Sequence, residues 1–184
     1  MAKIAVFIAD GTEEIEALTV VDLARRAGIT VDTVSVSDSM TVTGSHGIKI
    51  ILDAAIGQVE WDSVDMLVLP GGKVGVDNLR ACTELTDRVK EFVRDGKPVA
   101  AVCAAPSILG GLGILNGKKA TCYPGFEDKL TGAEYVKESV VKDGNIITSR
   151  GLGTTIQFAA AIIEYLTGKD TADEVLRQII YNDN

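Results

Sequence analysis

Histidine is almost missing from this chain: its 184 residues contain one, His46. A cysteine or serine hydrolase with an imidazole base therefore has a single candidate for that base. Cysteine is scarce as well. Cys82, Cys103 and Cys122 form no CxxC pair, so neither a disulfide framework nor a zinc ribbon is indicated. Three isolated cysteines and one distant histidine give no recognisable metal constellation, and no GxxxxGK[ST] phosphate loop is present. The expectation is a protein with no metal and no cofactor. Basic residues are also few: 18 Lys and Arg stand against 26 Asp and Glu, a net charge of -8. With no basic cluster, nucleic acid and anionic membrane surfaces are not expected partners. Nothing reads as a membrane span. The apolar run at Met1–Ile8 is too short for a signal peptide, and Asp10 and Glu13 follow at once, so a cytosolic (cytoplasmic) location is expected.

What is there is alternation. Strand and helix signals succeed one another from end to end, the pattern of one α/β domain over residues 1–184 with a mostly parallel sheet. Lys3–Ala9 reads as a strand buried on both faces. Asp10-Gly-Thr-Glu resembles a capping box opening a helix with Ile15, Leu18, Val21 and Ala24 on its apolar stripe. Arg25 and Arg26 suit its C-terminal end and Gly28 its stop. Ile29–Val36 is the second strand, and residues 40–53 alternate as a small β-hairpin excursion around Gly44 and Gly47. Val64–Leu69 is a buried strand running into Pro70-Gly71-Gly72. A helix around Leu85, Val89 and Phe92 ends at Gly96. Pro98–Val102 is a strand ended by Cys103, and Ala104–Leu112 a short helix with Pro106 in its first turn. Strands follow at Ala120–Tyr123, Val136–Lys142 and Ile146–Ser149, then helices at Thr155–Leu166 and Ala172–Tyr181.

In a parallel sheet the C-terminal strand ends share one edge, where ligands bind. Cys103 falls on that edge, before a helix N-terminus whose dipole is expected to lower a thiol's pKa. The small neighbours Ala101 and Ala105 permit a strained strand–turn–helix elbow. The uncovered amides of Gly71 and Gly72, with that of Ala104, are candidates for an oxyanion hole. The alternative to a functional Cys103 is a buried structural thiol. Glu16, beside Glu13 and Glu14 at a helix start, is read either as part of a solvated acidic turn or as a buried carboxyl able to donate to a thiolate.

Three segments taken together carry a resemblance: Phe-Ile-Ala-Asp-Gly-Thr-Glu-Glu-Ile-Glu at residues 7–16, Val-Leu-Pro-Gly-Gly at 68–72, and Ala-Val-Cys-Ala-Ala-Pro at 101–106. Their order and spacing resemble the ThiJ/PfpI superfamily, and within it the branch of the Parkinson-disease-associated protein deglycase and its bacterial relatives. The resemblance implies a flavodoxin-like three-layer α/β sandwich. It implies Cys103 as nucleophile, Glu16 as the protonated carboxyl bonded to its thiolate, and Gly72 and Ala104 as the donors facing a substrate oxygen. It also implies a homodimer through the first helix and the hairpin.

The resemblance carries two functions on the same residues. One is cofactor-independent conversion of small reactive aldehydes or glycated substrates, of the glyoxalase III or deglycase type, in oxidative and carbonyl stress. The other is a redox sensor or redox-regulated chaperone. The family's peptidase-like branch has histidine directly after the cysteine, where this chain has Ala104. The deglycase branch often has one where Tyr123 stands, so peptidase activity is not expected; nothing in the sequence supports a phosphate or thiazole site, so a role in thiazole biosynthesis is not expected either. His46 reads as a surface turn residue or one reaching a neighbouring subunit's site, and Tyr123 as an auxiliary donor or cover. Cys82 and Cys122 read as ordinary thiols, Cys122 being the likelier of the two to be redox-active.

Overall fold

The sheet is built on β1 (Lys3–Ile8), whose residues are packed from both sides. Ile4, Val6 and Ile8 face one layer, Ala5 and Phe7 the other, and all five are fully buried. The computed structural model describes residues 1–181 and leaves the last three of the expected domain, 182–184, outside the description. After β1 come α1 (Glu14–Arg26), β2 (Thr30–Ser35), the hairpin β3 (Thr41–Thr43) and β4 (Lys49–Ile51), and the short β5 (Ala54–Ala55). Next are β6 (Met66–Leu69), α2 (Lys73–Ala81), α3 (Thr83–Arg94), β7 (Val99–Val102) and α4 (Pro106–Gly111). The chain continues through β8 (Lys119–Ala120), β9 (Glu134–Tyr135), β10 (Val140–Asp143), β11 (Ile146–Ser149), α5 (Thr155–Thr167) and α6 (Lys169–Gln178).

Seven strands form the main sheet in the order β10-β11-β7-β6-β1-β2-β5, parallel except for β10 against β11. The α/β architecture expected from the alternation is the one observed. Helices α1, α5 and α6 cover one face; α2, α3 and α4 cover the other. The chain moves outward from β1 to β2, then returns to place β6 on the other side of β1. That reversal opens a crevice between the loops after β1 and β6, the position where open α/β sheets bind ligands. Glu13 N–H donates to Gly71 O (3.0 Å) and Gly75 N–H to Gly11 O (3.1 Å), which joins the two loops.

Several local expectations are corrected. α1 starts at Glu14, and no side chain caps it. Asp10 instead accepts from the Thr43 amide (2.7 Å) and ties β1 to the hairpin, while Thr12 Oγ1 accepts from Ala9 N–H. Ile15 and Leu18 do not belong to the buried stripe, being 48% and 36% exposed; Glu14, Glu16, Ala17 and Val20 face inward in their place. Gly28 (φ 75°) ends the helix as expected, with Ile29 N–H bonded to Ala24 O. α2 is an additional helix. It starts at Gly72 (φ 89°), where an added Cβ would strike the backbone of the β1 loop. The strands expected at Ala120–Tyr123 and Val136–Lys142 shrink to β8, which pairs with β9 apart from the main sheet, and to β10.

Candidate active site

β7 delivers Cys103 to the sheet edge with φ at 64°, a conformation that costs a non-glycine residue about 1–3 kcal/mol and persists only where surroundings enforce it. They do so here. Cys103 N–H donates to Ser149 O (3.0 Å), its carbonyl accepts from Tyr123 N–H (2.8 Å), and Ala105 N–H closes the turn on Val102 O (3.0 Å). Ala101 and Ala105 are wholly buried, so no larger side chain fits beneath the turn. α4 begins only at Pro106 and runs six residues, shorter and later than expected.

Glu16 projects from α1 into this elbow and is 1% exposed. Its Oε2 accepts from Gly71 N–H (2.9 Å), its carboxyl is hydrogen-bonded to the Cys103 thiol, and the Leu152 amide adds a further bond. Burial, against these bonds, pushes the carboxyl up to about 7. The thiol is raised to about 12, by burial first and then by the negative charge of Glu16, although the amides of Gly72 and Ala104 are directed at its sulfur and favour the thiolate. The expected lowering by a helix N-terminus is thus reversed: burial and a neighbouring carboxylate outweigh two amides and a six-residue helix. Between the two values the pair holds one proton, which lies on the thiol, hydrogen-bonded to the Glu16 carboxylate.

The candidate residues are brought together selectively. Cys103, Glu16, Gly72 and Ala104 converge. Gly71 does not serve as an oxyanion donor, because its amide is committed to Glu16; its role is space, since a Cβ there would collide with Cys103 Cβ and Glu16 Oε2 and lie 3.0 Å from Sγ. Tyr123 supports the elbow through its amide and borders the opening with a half-exposed ring. His46 sits elsewhere, on the β3–β4 turn. Its Nδ1 is 3.1 Å from Glu14 Oε2 and 3.0 Å from Ser45 Oγ, and no hydrogen bond among the described residues joins it to Cys103 or Glu16. The bond to Glu14, with the charges of Glu13 and Glu14, raises its pKa. Donor atoms of Glu13, Glu14 and His46 lie within 4.8 Å of one another, yet Glu14 is already engaged by the His46 amide and ring and by Ser45. Cys122 is fully buried and its thiol is pushed up to about 11, by burial and then Glu127, which removes the reason to single it out as redox-active.

Sequence reasoning overlooked the loop after β11. Gly151 closes over the site: a Cβ there would lie 3.2 Å from the Tyr123 ring and 3.7 Å from Glu16 Oε1. Beside it opens a cavity of about 310 Å³ lined by Tyr123, Ser139, Arg150, Leu152 and Thr154 among others. Arg150 Nε is buried there without a hydrogen-bond partner among the described residues. The available signal was the small-residue run Gly151-Leu152-Gly153 at a strand's C-terminal end, the same cue that marks Gly71-Gly72.

An α/β sheet carrying a cysteine on a strained elbow, with a buried carboxyl hydrogen-bonded to its thiol, defines a class of protein. Within that class the chain belongs to the DJ-1/PfpI family, whose model matches residues 2–165. Two Arabidopsis thaliana proteins, DJ-1 homologs B and A, are 40% and 43% identical over 99% and 96% of this chain, which spans 42% and 46% of their lengths. The glutathione-independent glyoxalase DJR-1.2 of Caenorhabditis elegans is 31% identical over 92% of this chain and 91% of its own. The solved structure of Toxoplasma gondii DJ-1 in an oxidized form superposes with a TM-score of 0.95 at 36% identity, covering 99% of this chain and all of that one. The fold is therefore the flavodoxin-like one that the resemblance implied. Among the described residues no helix is long and apolar enough to cross a membrane.

Proposed function

We propose that the protein converts small 2-oxoaldehydes such as methylglyoxal into 2-hydroxy acids, using Cys103 and Glu16 and no cofactor. The observation that carries this reading is the Cys103–Glu16 pair holding one proton, with the Gly72 and Ala104 amides aimed at the same sulfur. Glu16 takes the thiol proton, the thiolate attacks the aldehyde carbon, and the oxyanion formed receives that proton from Glu16. Glu16, now a carboxylate, removes the hydrogen on that carbon and returns it to the adjacent one, while the proton on the first oxygen passes to the former ketone oxygen. The aldehyde carbon is thereby oxidised to a thioester while the ketone is reduced to an alcohol. Water then cleaves the thioester, releasing lactate and restoring the thiol, so the sum is methylglyoxal plus water. Arg150, whose Nε has no partner among the described residues, borders the opening and suits the carboxylate that the last step creates. The glyoxalase relative named above supports the same chemistry.

A second reading on the same site is a redox sensor or redox-regulated chaperone, supported by the oxidized form of the Toxoplasma relative. A sulfinate at Cys103 would accept the Glu16 proton. As part of the proposal the chain acts as one domain in the cytoplasm, in carbonyl and oxidative stress. It pairs with a second copy through the outward apolar residues Ile15 and Leu18 of α1 and Ile48 and Ile51 of the hairpin.

The test is lactate formation from methylglyoxal without added cofactor, by wild type, Cys103→Ser and Glu16→Gln. Lactate from wild type, reduced at least about 10²-fold in both variants, supports the enzyme. No lactate, with peroxide adding two oxygens at Cys103, refutes it and leaves the sensor. Sedimentation of wild type and Ile51→Lys tests the pairing: a dimer that the variant loses supports it, and a wild-type monomer contradicts it.

A further inference from the structure

We infer that Arg80, on α2, is a positioning residue for Cys103, acting through Ser107 on the Ala104 peptide; this rests on the reading of Cys103 as the reactive thiol. Ser107 lies in the first turn of α4 and is 3% exposed. Its Oγ is 2.6 Å from Ala104 O and 2.7 Å from Arg80 Nη2. The direction of both bonds is forced. A guanidinium only donates, so the Ser107 oxygen accepts from Arg80 and its single hydrogen goes to the Ala104 carbonyl. That carbonyl also receives Ser107 N–H (3.1 Å).

The consequence reaches the thiol because of how a turn arranges one residue. Within a helical turn the N–H and C=O of a residue point in opposite directions along the axis. Clamping Ala104 O toward α4 therefore holds Ala104 N–H toward Cys103 Sγ, where it favours the thiolate. Backbone bonds to Ser149 and Tyr123 fix the elbow on the strand side. On the helix side, the chain from Arg80 through Ser107 supplies the side-chain tie. Arg80 brings a full positive charge, which strengthens both bonds of the chain. Asp77, three residues before it, holds the guanidinium in place at 2.9 Å.

The experiment follows the rate of Cys103 alkylation by iodoacetamide, site by site through peptide mass, across a range of pH. Wild type is compared with Arg80→Ala, Arg80→Lys, Ser107→Ala and the double alanine variant. Arg80→Ala and Ser107→Ala are each expected to slow alkylation near neutral pH about tenfold, the worth of one charge-assisted hydrogen bond. The double variant is expected to be no slower than either single one, because both break the same chain. Arg80→Lys, which keeps a donor and the charge, is expected to recover part of the rate. Rates within about twofold of wild type in both single variants, or losses that simply multiply in the double variant, overturn the inference; Arg80 would then only tie α2 to α4. A fall in melting temperature without a change in alkylation counts the same way. Alkylation does not require turnover. A wild type that makes no lactate yet responds in this assay removes the aldehyde reading and keeps this one.

Discussion

Glu16 and Cys103 are hydrogen-bonded across the crevice between α1 and the elbow, and between about pH 7 and about pH 12 they hold one proton jointly. Each is pushed up because burial opposes a charge on either group, and a second negative charge is opposed by the first. The Gly71 amide fixes Glu16 Oε2 in this arrangement. Every chemical step proposed for the site begins from that shared proton.

The raised Glu16 carboxyl makes stability fall as pH rises. An unfolded carboxyl ionises near 4.5, whereas the folded one keeps its proton until about 7. The folded state thus binds the extra proton, and its advantage, present below 4.5, is lost as pH climbs through 7, on the order of 3 kcal/mol in all. Glu16→Gln should flatten that slope. Melting temperatures across this range should converge at low pH and favour the variant above pH 7.

Gly71→Ala should abolish reactivity and destabilise the fold by about 1–3 kcal/mol, because the new methyl meets Cys103 Cβ and Glu16 Oε2 together. Denaturant unfolding and Cys103 alkylation measured on one preparation check both effects. An active, fully stable variant would show that the loop is looser than described.

The left-handed backbone at Cys103 predicts an unusual ranking. Cys103→Gly should be more stable than Cys103→Ala by about 1 kcal/mol, although glycine normally loses to alanine. Chemical denaturation of the two variants, neither of which carries a thiol at the site, decides it.

Glu14 predicts the opposite pH behaviour to Glu16. Burial would raise it, but bonds from its own amide, the His46 amide and ring and Ser45 prevail and hold it at about 2. Its contribution is complete above 4.5 and is lost as pH falls toward 2. Glu14→Gln should cost about 1.5–3 kcal/mol at neutral pH, since it weakens bonds to a buried charge that anchors the β3–β4 turn. Hydrogen exchange at His46 and Ile48 should rise in that variant.

How much of this was legible in the sequence depended on range. β1, the strand before Pro70 and the strand before Cys103 are dense apolar runs, and they declared the sheet and the edge carrying the thiol. α1 was misphased because periodicity registers apolar residues without distinguishing core from surface. Ile15 and Leu18 face outward, while the acids Glu14 and Glu16 face inward. Those acids are tolerated inside because amides 32 and 55 residues away, at His46 and Gly71, satisfy them, and no local window contains those partners. α2 was hidden by its sparse apolar content, with Gly75 fitted tightly against Thr12 where a helix former would be expected. The thiol's pKa shift was misjudged for the same reason: proximity to a helix start can be read locally, whereas the carboxylate opposing it is supplied by α1.

The central claim is that Glu16 governs the ionisation of Cys103, and the pH dependence of Cys103 alkylation in wild type and Glu16→Gln tests it most directly. The account predicts a wild-type rate that rises only well above the ordinary thiol range, toward about 12, and a Glu16→Gln profile shifted to lower pH because the opposing charge is gone. Identical profiles in the two proteins, with a single midpoint at an ordinary thiol value, would contradict it.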